Sequence, residues 1–298
     1  MAPPDKIPVC NYEGSDYRTR FWVGRGRAYE DQVERLALRR LMPASGQTLL
    51  DIGAGYGRLA DEYGGHQQVV LFDYSRSLLR EAQARLGEDS RFIYVAGNWY
   101  QMPFVEGLFS TMVQVRTIHH AADVPALFSE LARIARPDGC YVLEFANKHN
   151  LKAMLRYLLR RQSWSPFDLE PVEFVAMNFD FHPRWIRQQL TEAGFQPGAT
   201  LTVSHFRMRL LKRLVPMQLL ATLDRFAQPT GRWWQWSPSV FVASNHPEWG
   251  EPALPGTFFA CPQCRTPLHD AAGKRLTCTG CGLQWAVDDG LYDFKEPL

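Results

Sequence analysis

The 298-residue chain has no apolar run near the ~18 residues that a membrane-spanning helix needs. Its start, MAPPDKIPVCNYEG, lacks a basic stretch followed by an apolar one, so no secretory signal is expected and the sequence reads as cytoplasmic. Charge of one sign is not in surplus: 33 Lys+Arg against 31 Asp+Glu leave +2, less than chains held on nucleic acid by counterion release usually carry. There is no internal repeat and no low-complexity tract. Cysteine is scarce and unevenly spread. Cys10 and Cys140 stand alone, whereas Cys261, Cys264, Cys278 and Cys281 form CPQC and CTGC, a clustering that suggests metal rather than disulfides and fits a reducing compartment.

What remains is an ordinary globular composition, 46% hydrophobic and 21% charged, long enough for one large domain and a small one. Helical spacing covers 29–41, and Pro43 stops it. Short continuous apolar runs at 49–52, 69–72, 91–96, 111–115 and 140–145 read as buried strands. Helical segments are expected at 58–63, from Ser75 to about Leu86, and at 125–135. This alternation predicts a doubly wound α/β domain, a mostly parallel sheet covered by helices on both faces. After residue 146 the rhythm breaks. An amphipathic basic helix is expected at 151–161, helices at 183–193 and 210–226 with a break at Pro216, and strands at 200–206 and 239–243. The Pro/Gly-rich stretch 245–256 reads as a linker.

LLDIGAGYG, Leu49 to Gly57, places an acid at a strand tip and then glycines at every second position. Glycines permit close approach of a ligand to backbone, and a following helix N-terminus offers free N–H groups. A dinucleotide loop would read G-x-G-x-x-G, but Arg58 follows Gly53, Gly55 and Gly57 here. Asp51 beside the loop would repel a pyrophosphate and attract a ligand carrying ammonium and sulfonium charges. In these residues the sequence resembles the class I S-adenosylmethionine-dependent methyltransferases, over most of 20–205. The resemblance implies a Rossmann-like, seven-stranded sheet. LLDIGAGYG is similar to the family's first motif, with Asp51 on the methionine amino end and Gly53, Ala54, Gly55 and Tyr56 along the cofactor. VVLFDYS is similar to the second, with Asp73 on the ribose hydroxyls and Tyr74 and Ser75 beside it. VAGNWYQMPF resembles the third, which implies an adenine contact from Asn98, with Trp99 also on the cofactor. The segment from Thr117 to Phe145 is similar to the fourth and fifth.

Methyl transfer requires alignment, charge and, for some acceptors, a base. His119 and His120, just past the fourth strand, are the candidate bases, set against a plain packing role. Arg116 is a further candidate near the cofactor. Residues 1–28 resemble a lid segment, in which Tyr17, Phe21 and Trp22 would cover the cofactor and Arg20 or Arg25 would bind its carboxylate. The main domain is expected at 29–244, with cap insertions at 147–181 and 207–236. Their aromatics, among them Phe181, Trp233, Trp234 and Trp236, suit either an apolar acceptor pocket or the interface between cap and core. The basic faces of 151–161 and 207–213 would meet phosphates or anionic lipid heads, or simply water.

C-x2-C, thirteen residues, then C-x2-C has zinc-ribbon spacing. Four thiolates leave no site for water, so a structural zinc is expected on Cys261, Cys264, Cys278 and Cys281. Residues 257–298 resemble the small zinc-ribbon proteins that activate methyltransferases of the translation apparatus. The resulting expectation is an S-adenosylmethionine-dependent methyltransferase of a small or lipid-like acceptor. RNA or a translation factor is the alternative acceptor, and a non-catalytic cofactor-binding module or an oxidoreductase is the alternative class.

Overall fold

The computed structural model describes residues 7–15, 27–246, 250–268 and 274–298. Helix α1 (Ala28–Leu41) buries Val33, Ala37 and Leu38, with Glu30 and Asp31 in its first turn and Arg39 and Arg40 in its last, the arrangement its dipole favours. β1 (Gly46–Ile52), β2 (His66–Asp73), β3 (Phe92–Ala96), β4 (Phe109–Gln114) and β5 (Ala135–Ala146) form the parallel part of a sheet in the order 3-2-1-4-5. α2 (Arg76–Leu86) starts where the Ser75 hydroxyl accepts from the Leu78 amide, and α3 (Val124–Ile134) starts likewise at Asp123. The helix expected at 58–63 is only a 3-10 turn, Ala60–Glu62. Gly57 at φ +72° and the Gly64-Gly65 pair confine it to a span too short to propagate a helix.

Beyond β5 come α4 (Leu151–Leu158), the hairpin β6 (Val172–Val175) and β7 (Asn178–Asp180), α5 (Pro183–Glu192) and β8 (Gln196–Val203). α6 (Arg209–Leu214) and α7 (Met217–Ala227) follow, separated at Pro216 as the sequence suggests, and then β9 (Ser239–Asn245). β9 lies antiparallel between β5 and β8. Ala146 pairs with Ser239, and Ser239 with Val203. The two insertions therefore rise from the edge at which the parallel strands end.

The C-terminal part adds β10 (Phe259–Ala260), β11 (Pro267–Leu268), β12 (Arg275–Thr277), β13 (Gln284–Asp288) and β14 (Leu291–Asp293). One expectation needs correction here: among the described residues the sheet has ten strands, not seven. Seven come from residues 46–245. The other three, β12-β13-β14, continue it because β14 lies parallel to β3, pairing Leu291 with Tyr94 and Asp293 with Ala96. The backbone hydrogen bonds that β3 would have left open are thereby taken up. Phe259, Leu268, Trp285 and Phe294 share one apolar core with Phe72, Phe104 and Phe109. Among the described residues no helix is long and apolar enough to cross a membrane.

Candidate cofactor site and cysteine cluster

The tips of β1 and β2 and the glycine loop border an open cleft of about 870 Å³, solvent at its mouth included. Asp51, Gly53, Ala54, Gly55, Tyr56, Asp73, Tyr74, Trp99, Arg116 and His120 line it, ten of the positions singled out from sequence. The loop is tied to β2: the Gly53 and Ala54 amides donate to the Phe72 carbonyl at 2.8 and 3.1 Å. The Gly55 amide donates to Asp73 Oδ2 at 2.8 Å, and the Ser75 amide to Asp73 Oδ1 at 2.8 Å. Ser75 thus orients Asp73 and caps α2 rather than lining the cleft. Gly53 has φ +72°, and a Cβ there would stand 2.4 Å from Thr117 Cγ2, so both conformation and space demand glycine.

The cleft is acidic for a physical reason. Asp51 is fully enclosed. Burial pushes its carboxyl up to about 7 and the Asp73 charge adds to this, while the Tyr63 hydroxyl and the Arg58 guanidinium act the other way. Burial also raises Asp73, against the amides of Ser75, Gly55 and Tyr74. The two arginines at the cleft are already engaged. Arg58 pairs with Asp31 and with Glu34, the latter at 3.1 Å. The Arg116 guanidinium pairs with Glu34, with Nε 2.6 Å from Oε1, and its amide donates to Glu144 Oε2 at 2.8 Å. Both pair with acids, and among the described residues no cation is hydrogen-bonded to Asp51 or Asp73. The donor set fits a cationic nucleoside better than a diphosphate.

His120 is held at both ring nitrogens. The Met177 carbonyl lies 2.8 Å from Nδ1 and must accept, so Nδ1 carries the proton. Nε2 then accepts from the Tyr12 hydroxyl at 3.0 Å. Burial lowers the His120 pKa, only partly opposed by the Met177 carbonyl, so the neutral ring prevails near pH 7. His119 lies against it, ring centres 4.0 Å apart, but is not part of the cleft lining. Burial and the neighbouring His120 and Arg116 hold its pKa well below the ordinary range. Asn98 is turned to its own backbone, its Oδ1 accepting from the Tyr100 amide at 2.9 Å.

Tyr17, Trp22 and Arg25, with Phe21 and Arg20, lie outside the described residues. The N-terminal cover that is described comes earlier in the chain: Val9, Cys10 and Tyr12 line the cleft. Glu13 anchors this segment by accepting from the Arg76 and Ser77 amides at the start of α2, both at 2.9 Å. Sequence reasoning missed Tyr12 because no periodicity marks a loop residue. The pairing of an acid with a helix start was its only available signal.

The four clustered cysteines bring their sulfurs within 4.8 Å of one another. Cys261 and Cys281 sulfurs are 3.7 Å apart, and Cys264 and Cys278 sulfurs 3.4 Å. Thiolates around one zinc at 2.3 Å would stand about 3.8 Å apart, so the set fits that ion. Each C-x2-C forms the same kind of knuckle. The Arg265 amide donates to the Cys261 carbonyl and the Gly282 amide to the Cys278 carbonyl, and these two residues, each just after a second cysteine, are left-handed, φ +63° and +76°.

Residues 50–143 match the family described as "Methyltransferase domain", and residues 258–290 the family described as "Trm112p-like protein". Among curated relatives, 24-methylenesterol C-methyltransferase 2 of Arabidopsis thaliana is 25% identical over 137 residues, 43% of this chain and 38% of that protein. The ubiquinone/menaquinone biosynthesis C-methyltransferase UbiE of Paracoccus denitrificans is 30% identical over 149 residues, 47% of this chain and 58% of that protein. The chain spans about a third of the length of the first curated relatives it matches. A chain from the complex between the Haloferax volcanii Trm112 methyltransferase activator and a protein named as a methyltransferase has the same fold. Its TM-score is 0.53 at 16% identity, covering 78% of this chain and 98% of that one. The chain therefore joins, in one polypeptide, a segment that matches the methyltransferase-domain family to a segment that matches the Trm112p-like family.

Proposed function

We propose that the protein is an S-adenosylmethionine-dependent methyltransferase whose acceptor is a small or lipid-like organic molecule. The observation that carries this reading is the pair of carboxylates, Asp51 buried and Asp73 partly buried, flanking a bare glycine loop in a cleft whose Arg58 and Arg116 pair with other acids. When bound, such a cofactor supplies an activated methyl group. This chain's own part is to bind and align. Asp51 meets the cationic methionine end, and Asp73, held by backbone amides, accepts from ribose hydroxyls. The glycine loop and the adjoining Trp99 contain the nucleoside. Tyr12 and the neutral His120 hold a proton relay at the mouth, with the His120 Nε2 lone pair as the acceptor. The four cysteines would hold zinc for structure, in a reducing compartment such as the cytoplasm.

The names of the matched relatives, sterol and quinone methyltransferases, support a lipid-like acceptor. The Trm112p-like match favours a second reading, in which the acceptor is RNA or a translation factor. Two measurements test the proposal. Calorimetry should register S-adenosylmethionine and not NAD, and methyl-labelled cofactor incubated with cell extract should deposit label in the lipid or small-molecule fraction. Label in RNA or protein would transfer the assignment to the second reading. No binding of the cofactor would overturn both.

A further inference from the structure

The two insertions carry a charge and an apolar surface that the methyl-transfer reading does not use. Together they hold eleven Lys/Arg against five Asp/Glu, a net of +6 in a chain whose net charge is +2. The stretch 151–161 contains Lys152, Arg156, Arg160 and Arg161 and no acid. In 207–236 the single acid is Asp224, which is fully buried and accepts from the Tyr29 hydroxyl and the His205 amide. The acids of the first insertion, Asp168, Glu170, Glu173 and Asp180, lie beyond α4, in the loop and hairpin that follow.

The same elements expose large apolar side chains. α7 buries Leu220, Ala221 and Asp224, and that face is committed to α1 through Tyr29. Its opposite face presents Leu219, Leu223 and Phe226 at helical spacing, Phe226 76% exposed. A short helix apolar on both faces needs a second apolar surrounding. α4 buries only Ala153 and exposes Leu151, Leu155 and Leu158. The chain joins the two patches. α7 runs through a 3-10 turn into the exposed Trp233, Trp234 and Trp236, and the Leu151 amide donates to the Trp236 carbonyl at 2.9 Å. Trp234 stacks on Trp236 at 6.1 Å. Exposed leucines, tryptophans and interspersed arginines on elements joined in this way are the composition of an interfacial membrane contact.

We propose that the outer faces of α4 and α7, with the tryptophan turn between them, dock on an anionic phospholipid bilayer. The leucines, Phe226 and the indoles enter the acyl boundary, while Lys152, Arg156, Arg160, Arg161, Arg213 and Arg232 meet lipid phosphates. α4 follows directly from the end of β5, on the side of the sheet where the cleft lies, and the first insertion reaches the cleft itself through the Met177–His120 hydrogen bond. Docking therefore brings the bilayer to the side from which a lipid-like acceptor would approach.

The test is cosedimentation of the full chain with vesicles, without cofactor, so that it is independent of whether the chain transfers methyl groups. Expected is capture by phosphatidylcholine vesicles containing phosphatidylserine, weakened by salt, with pure phosphatidylcholine far less effective. Replacing Arg156, Arg160 and Arg161 together by glutamate should lower affinity at least about 100-fold, roughly five-fold for each cation removed and more for reversal. Phe226→Ser with Trp233→Ser should abolish capture, while circular dichroism and S-adenosylmethionine calorimetry match those of the unaltered chain, since both side chains are exposed. No capture by either vesicle, or capture unaffected by both sets of substitutions, would overturn the proposal. So would a lipid-free dimer, seen by light scattering, that Leu223→Ser converts to monomer, because the face would then belong to a second copy.

Discussion

Asp51 carries the electrostatics of the cleft, and its burial gives a signed prediction. The folded carboxyl titrates at about 7 against an ordinary 3.8, so between those values the folded chain holds more protons than the unfolded one. Stability of the ligand-free protein should thus fall as pH climbs through that window. Binding of a cationic nucleoside favours the carboxylate and must expel the proton. Affinity should rise from about pH 6 to 8, and calorimetry in buffers of different ionisation enthalpy should register proton release. Asp51→Asn should flatten that profile; an unchanged slope would remove Asp51 from the site. Gly53 makes a steric prediction. Gly53→Ala meets Thr117 and holds a side chain at positive φ, so it should cost about 1–3 kcal/mol in denaturant unfolding. Both residues were legible in LLDIGAGYG, because an acid and glycines at a strand tip are informative wherever they occur. Tyr12 was not, since its meeting with His120 joins residues 108 apart in sequence.

At the scale of elements, apolar runs located β1 to β5 well, and Ser75 and Pro216 marked a helix start and a helix break where the structure has them. Two features escaped. β14 is three residues long, Leu291–Asp293, too short for any pattern to announce that it would extend the sheet. The leucines of α4 were read as one apolar face, but periodicity cannot say whether such a face meets core or solvent, and here most of it is exposed. Segment 7–15 is an element held by an end rather than a face. Burial pushes the Glu13 carboxyl up, but the Ser77 and Arg76 amides and Lys295 leave it below its ordinary value. Glu13→Gln should loosen the segment and weaken S-adenosylmethionine binding about five-fold, on the order of 1 kcal/mol for a charged helix-start contact. Calorimetry at one pH decides it.

For the whole molecule, the C-terminal part is built into the same core. Arg265 forks onto buried Glu130 at 2.9 and 3.0 Å, and the Phe294 amide donates to the Ala96 carbonyl at 2.7 Å, next to Gly97 of the cleft. Removing the metal from the full chain with a chelator, or substituting Cys278→Ser, should therefore lower the melting temperature and weaken nucleoside binding together. Loss of stability with unchanged affinity would show that the ribbon and the cleft are uncoupled.

The parallel seam between β14 and β3 lies within one polypeptide, so no dissociation constant governs it. A two-chain assembly would come apart on dilution below its dissociation constant or under unequal synthesis of its halves. This seam persists in every copy at any abundance, and its thermal midpoint should not move across a hundred-fold dilution series.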